Sequence, residues 1–185
     1  MRGICFTGTC AAFLLAMPVS AQATAKFTLI STDVHAGQTI GTAQVFNGMG
    51  CAGANTSPAL QWQGAPAATK SFALTVYDPD APTGSGWWHW VVYNIPASTS
   101  RLPAGAGGGA GLPAGAVQGN TDIGSPGYGG PCPPPGDKPH HYIFTIYALN
   151  VDKLDVPANA TAAYVGFNLH AHTVGKATLT AVYGR

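Results

Sequence analysis

Six short segments of the chain are rich in apolar and β-branched residues and are bounded by glycine, proline, serine or asparagine. Lys26–Ser31, Ala59–Trp62, Ser71–Tyr77, Trp90–Ile95, Tyr142–Leu149 and Ala177–Tyr183 therefore predict strands. The near-continuous apolar character of the longer ones predicts burial on both faces, or of one face against a second sheet. One helix is predicted near Ala162–Gly175, with Thr161 as its N-cap and Gly175 near its end. The pattern as a whole predicts a mainly β, sandwich-like domain.

Residues 97–139 break the pattern. They hold 12 glycines and 8 prolines among 43 positions, a composition that predicts a long loop with no regular element. A loop of this length in a compact domain is usually functional or disordered. Pro103–Gly115 reads as a flexible Gly-Ala insertion. Gly124–Gly136 is stiffened by proline, and Cys132 offers a point at which to pin it. No internal repeat and no domain boundary is seen.

The first 23 residues predict a secretory signal. Arg2 supplies the positive start, an apolar stretch runs from about Ala11 to Val19, and Ala21-Gln22-Ala23 gives a cleavage pattern before Thr24. The stretch is too short to span a bilayer comfortably, and no later segment is long and apolar enough. Cys10 precedes most of it, which argues against a lipoprotein anchor. Residues 24–185 would then form a single domain, periplasmic or secreted, long enough for a real core.

Composition narrows the partners. Charged residues make up 8% of the chain, against a usual ~25%. All seven acids are aspartates, and without Arg2 seven basic residues balance them. A neutral surface does not recruit nucleic acid. Any anion must instead be held by a few placed groups. Cys5 and Cys10 leave with the signal. The remaining pair, Cys51 and Cys132, points to one disulfide in an exported chain. Two free thiols, or a reactive thiol beside the site, are the rival readings.

The densest chemistry lies in Tyr77-Asp78-Pro79-Asp80-Ala81-Pro82 and in Trp87-Trp88-His89-Trp90, five residues further on. Two carboxylates on a proline-stiffened turn face a strand that starts with a histidine. Turn chemistry alone would account for Asp80. With His89 close by, a carboxylate orienting an imidazole is the sharper expectation: it would favour the charged ring, a donor to an anion. His140 and Tyr142 share one strand face and His141 takes the other, which sets two donors side by side. Gly129-Gly130-Pro131 would let backbone approach a ligand, with the Gly130 amide as donor. His170 and His172 lie two apart on the predicted helix and do not share a face, so no metal is expected there. No Gly-x-Ser-x-Gly elbow, His-Glu-x-x-His or phosphate loop is present. A nucleophilic enzyme is poorly supported, and no cofactor is implied.

These residues resemble the phosphatidylethanolamine-binding protein family, also known for Raf kinase inhibitor proteins, in its bacterial branch. The resemblance rests on Asn55–Trp62, Asp78–Pro82, Trp88–Pro96, Gly127–Pro134 and His140–Phe144, and covers about Phe27 to Tyr183. It implies a sandwich of two antiparallel sheets with one or two short helices, and a small pocket for phosphate-like head groups. Asp78, His89, His140 and Tyr142 would line it, Gly130 and Pro131 would form its loop wall, and Asp80 would support the turn. The Ala81–Pro82 bond would be cis. Asp78 would hold His89, while Trp87, Trp88 and Trp90 would supply walls and core. Eukaryotic relatives close part of the pocket with a C-terminal helix, whereas this sequence ends at Arg185, and kinase inhibition is not carried over. The expected function is an exported, non-enzymatic protein binding a small anion, phosphate-like or a carboxylate. A protease inhibitor or interaction module using the pocket rim is the main alternative, and a hydrolase the third. A homodimer stays open.

Overall fold

The computed structural model describes Gly3 and residues 26–185 apart from residue 158. The predicted signal segment, with Cys5 and Cys10, lies outside the described residues. Ten strands and one α-helix follow in order. They are β1 (Thr28–Ser31), β2 (Asn47–Gly48), β3 (Cys51–Ala52), β4 (Leu60–Gln63), β5 (Ser71–Asp78), β6 (Trp87–Pro96), β7 (Arg101–Leu102), β8 (Val117–Gln118), β9 (His140–Leu149), α1 (Ala162–His172) and β10 (Thr173–Tyr183). All strand pairs within the sheets are antiparallel. One sheet has the order β1-β4-β7, the larger one β10-β9-β5-β6-β8, and β2-β3 form a separate hairpin.

Alternation along β5 explains both layers of core. Phe72, Leu74 and Val76 face the smaller sheet and pack with Leu29, Leu60, Trp62 and Leu102. Ala73 faces the other way, toward Val165 and Leu169 of α1. The larger sheet is thus covered on both faces, which is why its strands read as nearly unbroken apolar runs. The helix starts where its cap predicts: the Thr161 hydroxyl accepts from the Tyr164 N–H at 3.2 Å. It ends at His172, earlier than Gly175, because Thr173 already pairs with Leu149 in β10.

Two bulges interrupt the pairing of β5 with β6. Phe72 pairs with Ile95 but Leu74 with Val92, and Asn94 takes a positive φ of 59°. Val76 pairs with Trp90 but Tyr77 with Trp88, which leaves His89 as an extra residue between them. A bulge bends the strand and re-aims the side chain it carries. Strict alternation would send Trp88 and Trp90 to one face and His89 to the other. Instead Trp90 is fully buried between the sheets, and Trp88 packs on the helix side.

The 97–139 segment is more ordered than its composition predicts. Leu102 pairs with Leu60, Gln118 pairs with Val92, and a 3-10 turn forms at Ala106–Gly108 with Ala106 and Gly107 buried. Two-residue edge strands need only a few N–H groups, and the segment supplies these between its prolines. The Cys51–Cys132 disulfide is formed, with Cα atoms 6.0 Å apart, and it pins the proline-rich part to β3. Among the described residues no helix is long and apolar enough to cross a membrane.

Candidate functional site

At the end of the larger sheet, Asp78 closes β5. Its Oδ1 accepts from the backbone N–H groups of Asp80 (2.8 Å) and Ala81 (3.2 Å), so the bend is an Asx-turn. The Thr83 N–H also donates to the Ala81 carbonyl at 2.8 Å. These bonds close the bend with trans peptides. No cis bond occurs among the described residues, which corrects the expectation for Ala81–Pro82.

The carboxylate does not hold His89. Its Oδ2 accepts from Nδ1 of His140 at 2.8 Å, with both side chains almost fully buried. Register gives the reason. Tyr77 pairs with Ile143, so Asp78 lies beside Tyr142 and diagonal to His140, within side-chain reach. Nε2 of His140 stands 3.5 Å from Asp137 Oδ2.

His89 is fixed by the loop instead. Its Nδ1 donates to the Gly129 carbonyl at 2.7 Å, and its ring meets Tyr142 edge-on with centroids 5.1 Å apart. Its Nε2 is buried and has no hydrogen-bond partner among the described residues. Asn55 holds the loop in place: Nδ2 donates to Tyr128 O at 3.0 Å, and Oδ1 accepts from Gly130 N at 2.8 Å. The expected donor role of the Gly130 amide is therefore taken up by Asn55. Glycine is needed at position 130 because a Cβ there would run into the backbone oxygen of Gln44.

Asp78, His89, Gly130, His140 and Tyr142 line a single cavity of about 200 Å³. Two predicted residues lie off it. Pro131 is buried behind the wall, its carbonyl accepting from Phe46 N at 3.1 Å. Asp80 sits outside, where Oδ2 accepts from the His141 N–H at 2.8 Å and stands 2.7 Å from its Nδ1. The backbone bond from His141 and then the side-chain one hold the Asp80 carboxyl below its ordinary range. Trp87 forms wall, as expected.

The apolar rim was not foreseen. Phe46, Met49, Ile123 and Pro133 surround the opening, and Met49 is 68% exposed at the tip of the β2–β3 hairpin. Met49 and Gly50 both take positive φ, 52° and 82°, as a primed hairpin turn requires. The signal was legible in Asn47-Gly48-Met49-Gly50, a glycine-rich turn before Cys51. Asn55 was legible only as part of a motif, without a role.

Burial sets the charges. It pushes the His89 imidazole below its ordinary value, and the Gly129 carbonyl and the carboxylates of Asp78 and Asp122 only partly oppose this. This direction runs against the charged His89 expected from the sequence, because desolvation outweighs its neighbours. Burial also raises the Tyr142 phenol, with Asp78 adding to the effect, so it stays an O–H donor. A stability prediction follows from His89. Unfolded, the ring protonates near pH 6.5; folded, it does so only at lower pH. Between those points the unfolded chain binds more protons, so this group lowers stability as pH falls below about 6.5, by up to ~1.4 kcal/mol per pH unit. Melting of the wild type should drop relative to a His89→Phe variant between pH 7.5 and 5.5. Parallel curves would show that His89 is not held neutral.

Fold and cavity together define the class: an antiparallel β-sandwich with a small cavity floored by two histidines, a tyrosine and an aspartate. Residues 30–184 match the family described as phosphatidylethanolamine-binding protein, and the chain belongs to that family. It is 55% identical to YbcL of Escherichia coli strain K12 over 166 residues, 89% of this chain and 90% of that protein. YbhB of the same strain is 52% identical over 156 residues, covering 84% and 98%. The crystal structure of E. coli YbcL matches with a TM-score of 0.85 at 53% identity, over 87% of this chain and 99% of that one. Carboxypeptidase Y inhibitor, solved in complex with its cognate proteinase, shares the fold, with a TM-score of 0.51 at 21% identity over 85% and 82%.

Proposed function

We propose that this protein is an exported, non-enzymatic binding protein whose cavity takes a small oxyanion, phosphate or a phosphate-like head group. The observation that carries the reading is the unpartnered, buried Nε2 of His89 on a cavity floored by His140 and Tyr142. A buried polar atom left without a partner costs about 1–3 kcal/mol, and a ligand atom bonded there would recover that cost. The Tyr142 hydroxyl supplies a donor beside it, and Nε2 of His140 supplies one when that ring is charged. Asp78 takes the Nδ1–H of His140, which leaves Nε2 as the ring's other nitrogen, 3.5 Å from Asp137 Oδ2. The bonded cysteines suit an oxidising compartment, in line with a secretory signal at residues 1–23 and residues 24–185 as one exported domain. The cavity side chains offer the hydroxyls of Thr83 and Tyr142, and its cysteine is bonded; binding without turnover fits this set better than acyl or phosphoryl transfer.

Calorimetric titration with inorganic phosphate tests the reading. The wild type should bind, and His140→Ala should bind at least tenfold more weakly. Equal affinity would remove the cavity from consideration.

A second reading has its own observation. Met49 and Ile123 are exposed at the mouth beside the prolines, and an apolar rim suits a protein side chain entering the cavity. A protease of the same compartment would be the partner. If a captured protein is released by Met49→Asp and not by phosphate, this reading is preferred.

A further inference from the structure

The proposed anion site carries a chemical selectivity of its own, which rests on that reading and goes past it. His89 is the extra residue of a β-bulge, and its ring is buried at 6% exposure. Its Nδ1 bonds a carbonyl, Gly129 O, at 2.7 Å. A carbonyl can only accept, so Nδ1 carries the hydrogen in either charge state. The loop cannot easily turn that carbonyl away, because Asn55 bonds Tyr128 O on one side of Gly129 and Gly130 N on the other. The tautomer is thereby fixed. A neutral His89 offers a lone pair at Nε2, not a hydrogen.

Burial keeps a second hydrogen off the ring, against the pull of its neighbours. Asp78 faces it from the end of β5 and Asp122 from the loop after β8, with backbone carbonyls from Gly129 and Gly130. Tyr142 stands against it from β9, as a neutral phenol. His140, also on β9, is already bonded to Asp78. Among the described residues no lysine or arginine lines the cavity. An oxyanion made only of acceptors would meet a lone pair at His89 and a carboxylate behind it.

We infer that the cavity selects oxyanions that carry their own proton, namely hydrogen phosphate and phosphate monoesters, and rejects tetrahedral oxyanions that carry none at neutral pH, namely sulfate and phosphate diesters. The ligand's P–O–H donates to Nε2 of His89. One remaining oxygen accepts from the Tyr142 hydroxyl, and His140, whose Nδ1–H is taken by Asp78, donates from Nε2 only as the imidazolium. A phosphate monoester keeps a second proton up to about pH 6, so near neutrality a useful fraction arrives already protonated. Sulfate and diesters must instead have the buried ring charged for them. The preference falls on the head group of a monoester over the diester linkage of an intact phospholipid.

The test is calorimetry on the whole protein with inorganic phosphate, methyl phosphate, dimethyl phosphate and sodium sulfate, at pH 6 and pH 8. Phosphate and methyl phosphate should bind at least tenfold more tightly than the other two at pH 6; methyl phosphate should weaken toward pH 8 as it loses its last proton, whereas inorganic phosphate, which still carries one there, should hold its lead over sulfate. Inorganic phosphate binding without methyl phosphate would place the site's source in free phosphate; binding of both admits a monoester head group. A His89→Phe variant should lose the preference for phosphate over sulfate even if both bind weakly. Equal binding of sulfate and phosphate to the wild type would overturn the selectivity while leaving the anion site standing. Failure of all four to bind would overturn the anion site itself, and the selectivity with it.

Discussion

Replacing Asp78 with alanine is expected to cost roughly 3 kcal/mol of stability and to reduce phosphate affinity more than tenfold. Removing one partner of a buried pair usually costs about 3–5 kcal/mol, because a bare charge is left behind. The lower end applies here, since an imidazole can shed its proton. Three donors still lose their acceptor: Nδ1 of His140 and the N–H groups of Asp80 and Ala81. Affinity falls for a separate reason. Without the carboxylate, Nδ1 of His140 has no inward partner, and the charged ring keeps only Asp137, 3.5 Å from Nε2, as a counter-ion. Asp78→Asn separates the two effects. The amide oxygen can still accept in the turn, so most stability should return. Its NH₂ would face Nδ1, which forces the other tautomer on His140 and alters the pH dependence of binding. Denaturant unfolding and phosphate calorimetry on both variants check this. An alanine variant as stable as wild type would mean that the buried pair contributes nothing.

Loss of the Cys51–Cys132 bond is the second large effect. The bond spans 81 residues, and chain entropy places its contribution at about 4–5 kcal/mol at most. At about 2–4 °C per kcal/mol for a domain of this size, the Cys51→Ser, Cys132→Ser double variant should melt on the order of 10 °C lower. The loss also reaches the cavity, because Cys132 forms part of its wall. Other ties would remain, among them the Phe46 N–H to Pro131 O bond. Arg185 donates from Nε to Pro133 O and from Nη1 to Gly50 O, both at 2.7 Å, and joins the hairpin to the proline-rich loop. The rim should therefore loosen without detaching, with phosphate affinity reduced but not abolished. A reducing agent should reproduce the double variant's melting temperature in the wild type. An unchanged melting temperature on full reduction would show that the bond does not restrain the chain.

Much of the fold was legible because the larger sheet is buried on both faces. Ser71–Tyr77 and Tyr142–Leu149 are nearly unbroken apolar runs, and they are the strands β5 and β9 almost residue for residue. The Thr161 cap marked the helix start for a local reason. Small edge strands escaped notice, since Arg101–Leu102 and Val117–Gln118 exist only by pairing with β4 and β6. Nothing in their own composition announces them.

The site was legible as a set of residues and not as a set of bonds. Asp78, His89, His140 and Tyr142 could be picked out by type and motif. Which histidine the aspartate holds depends on the register of β5 against β9, and register is a property of two strands. The bulge at His89 is also invisible locally: Trp87-Trp88-His89-Trp90 reads as plain alternation until its pairing with Val76 and Tyr77 is known. The neutral state of His89 then follows from burial, which sequence proximity to Asp78 and Asp80 could not reveal.

The central claim is that His89 and His140 meet an oxyanion together, through Nε2, on the floor of one cavity. Nitrogen-15 NMR of histidine-labelled protein reads both rings directly. In the free protein His89 should show a protonated Nδ1 and an unprotonated Nε2. Adding phosphate should shift Nε2 of His89 and of His140 in the same saturable titration and leave His35, His141, His170 and His172 unmoved. A saturable response confined to those four histidines, with His89 and His140 silent, would contradict the account.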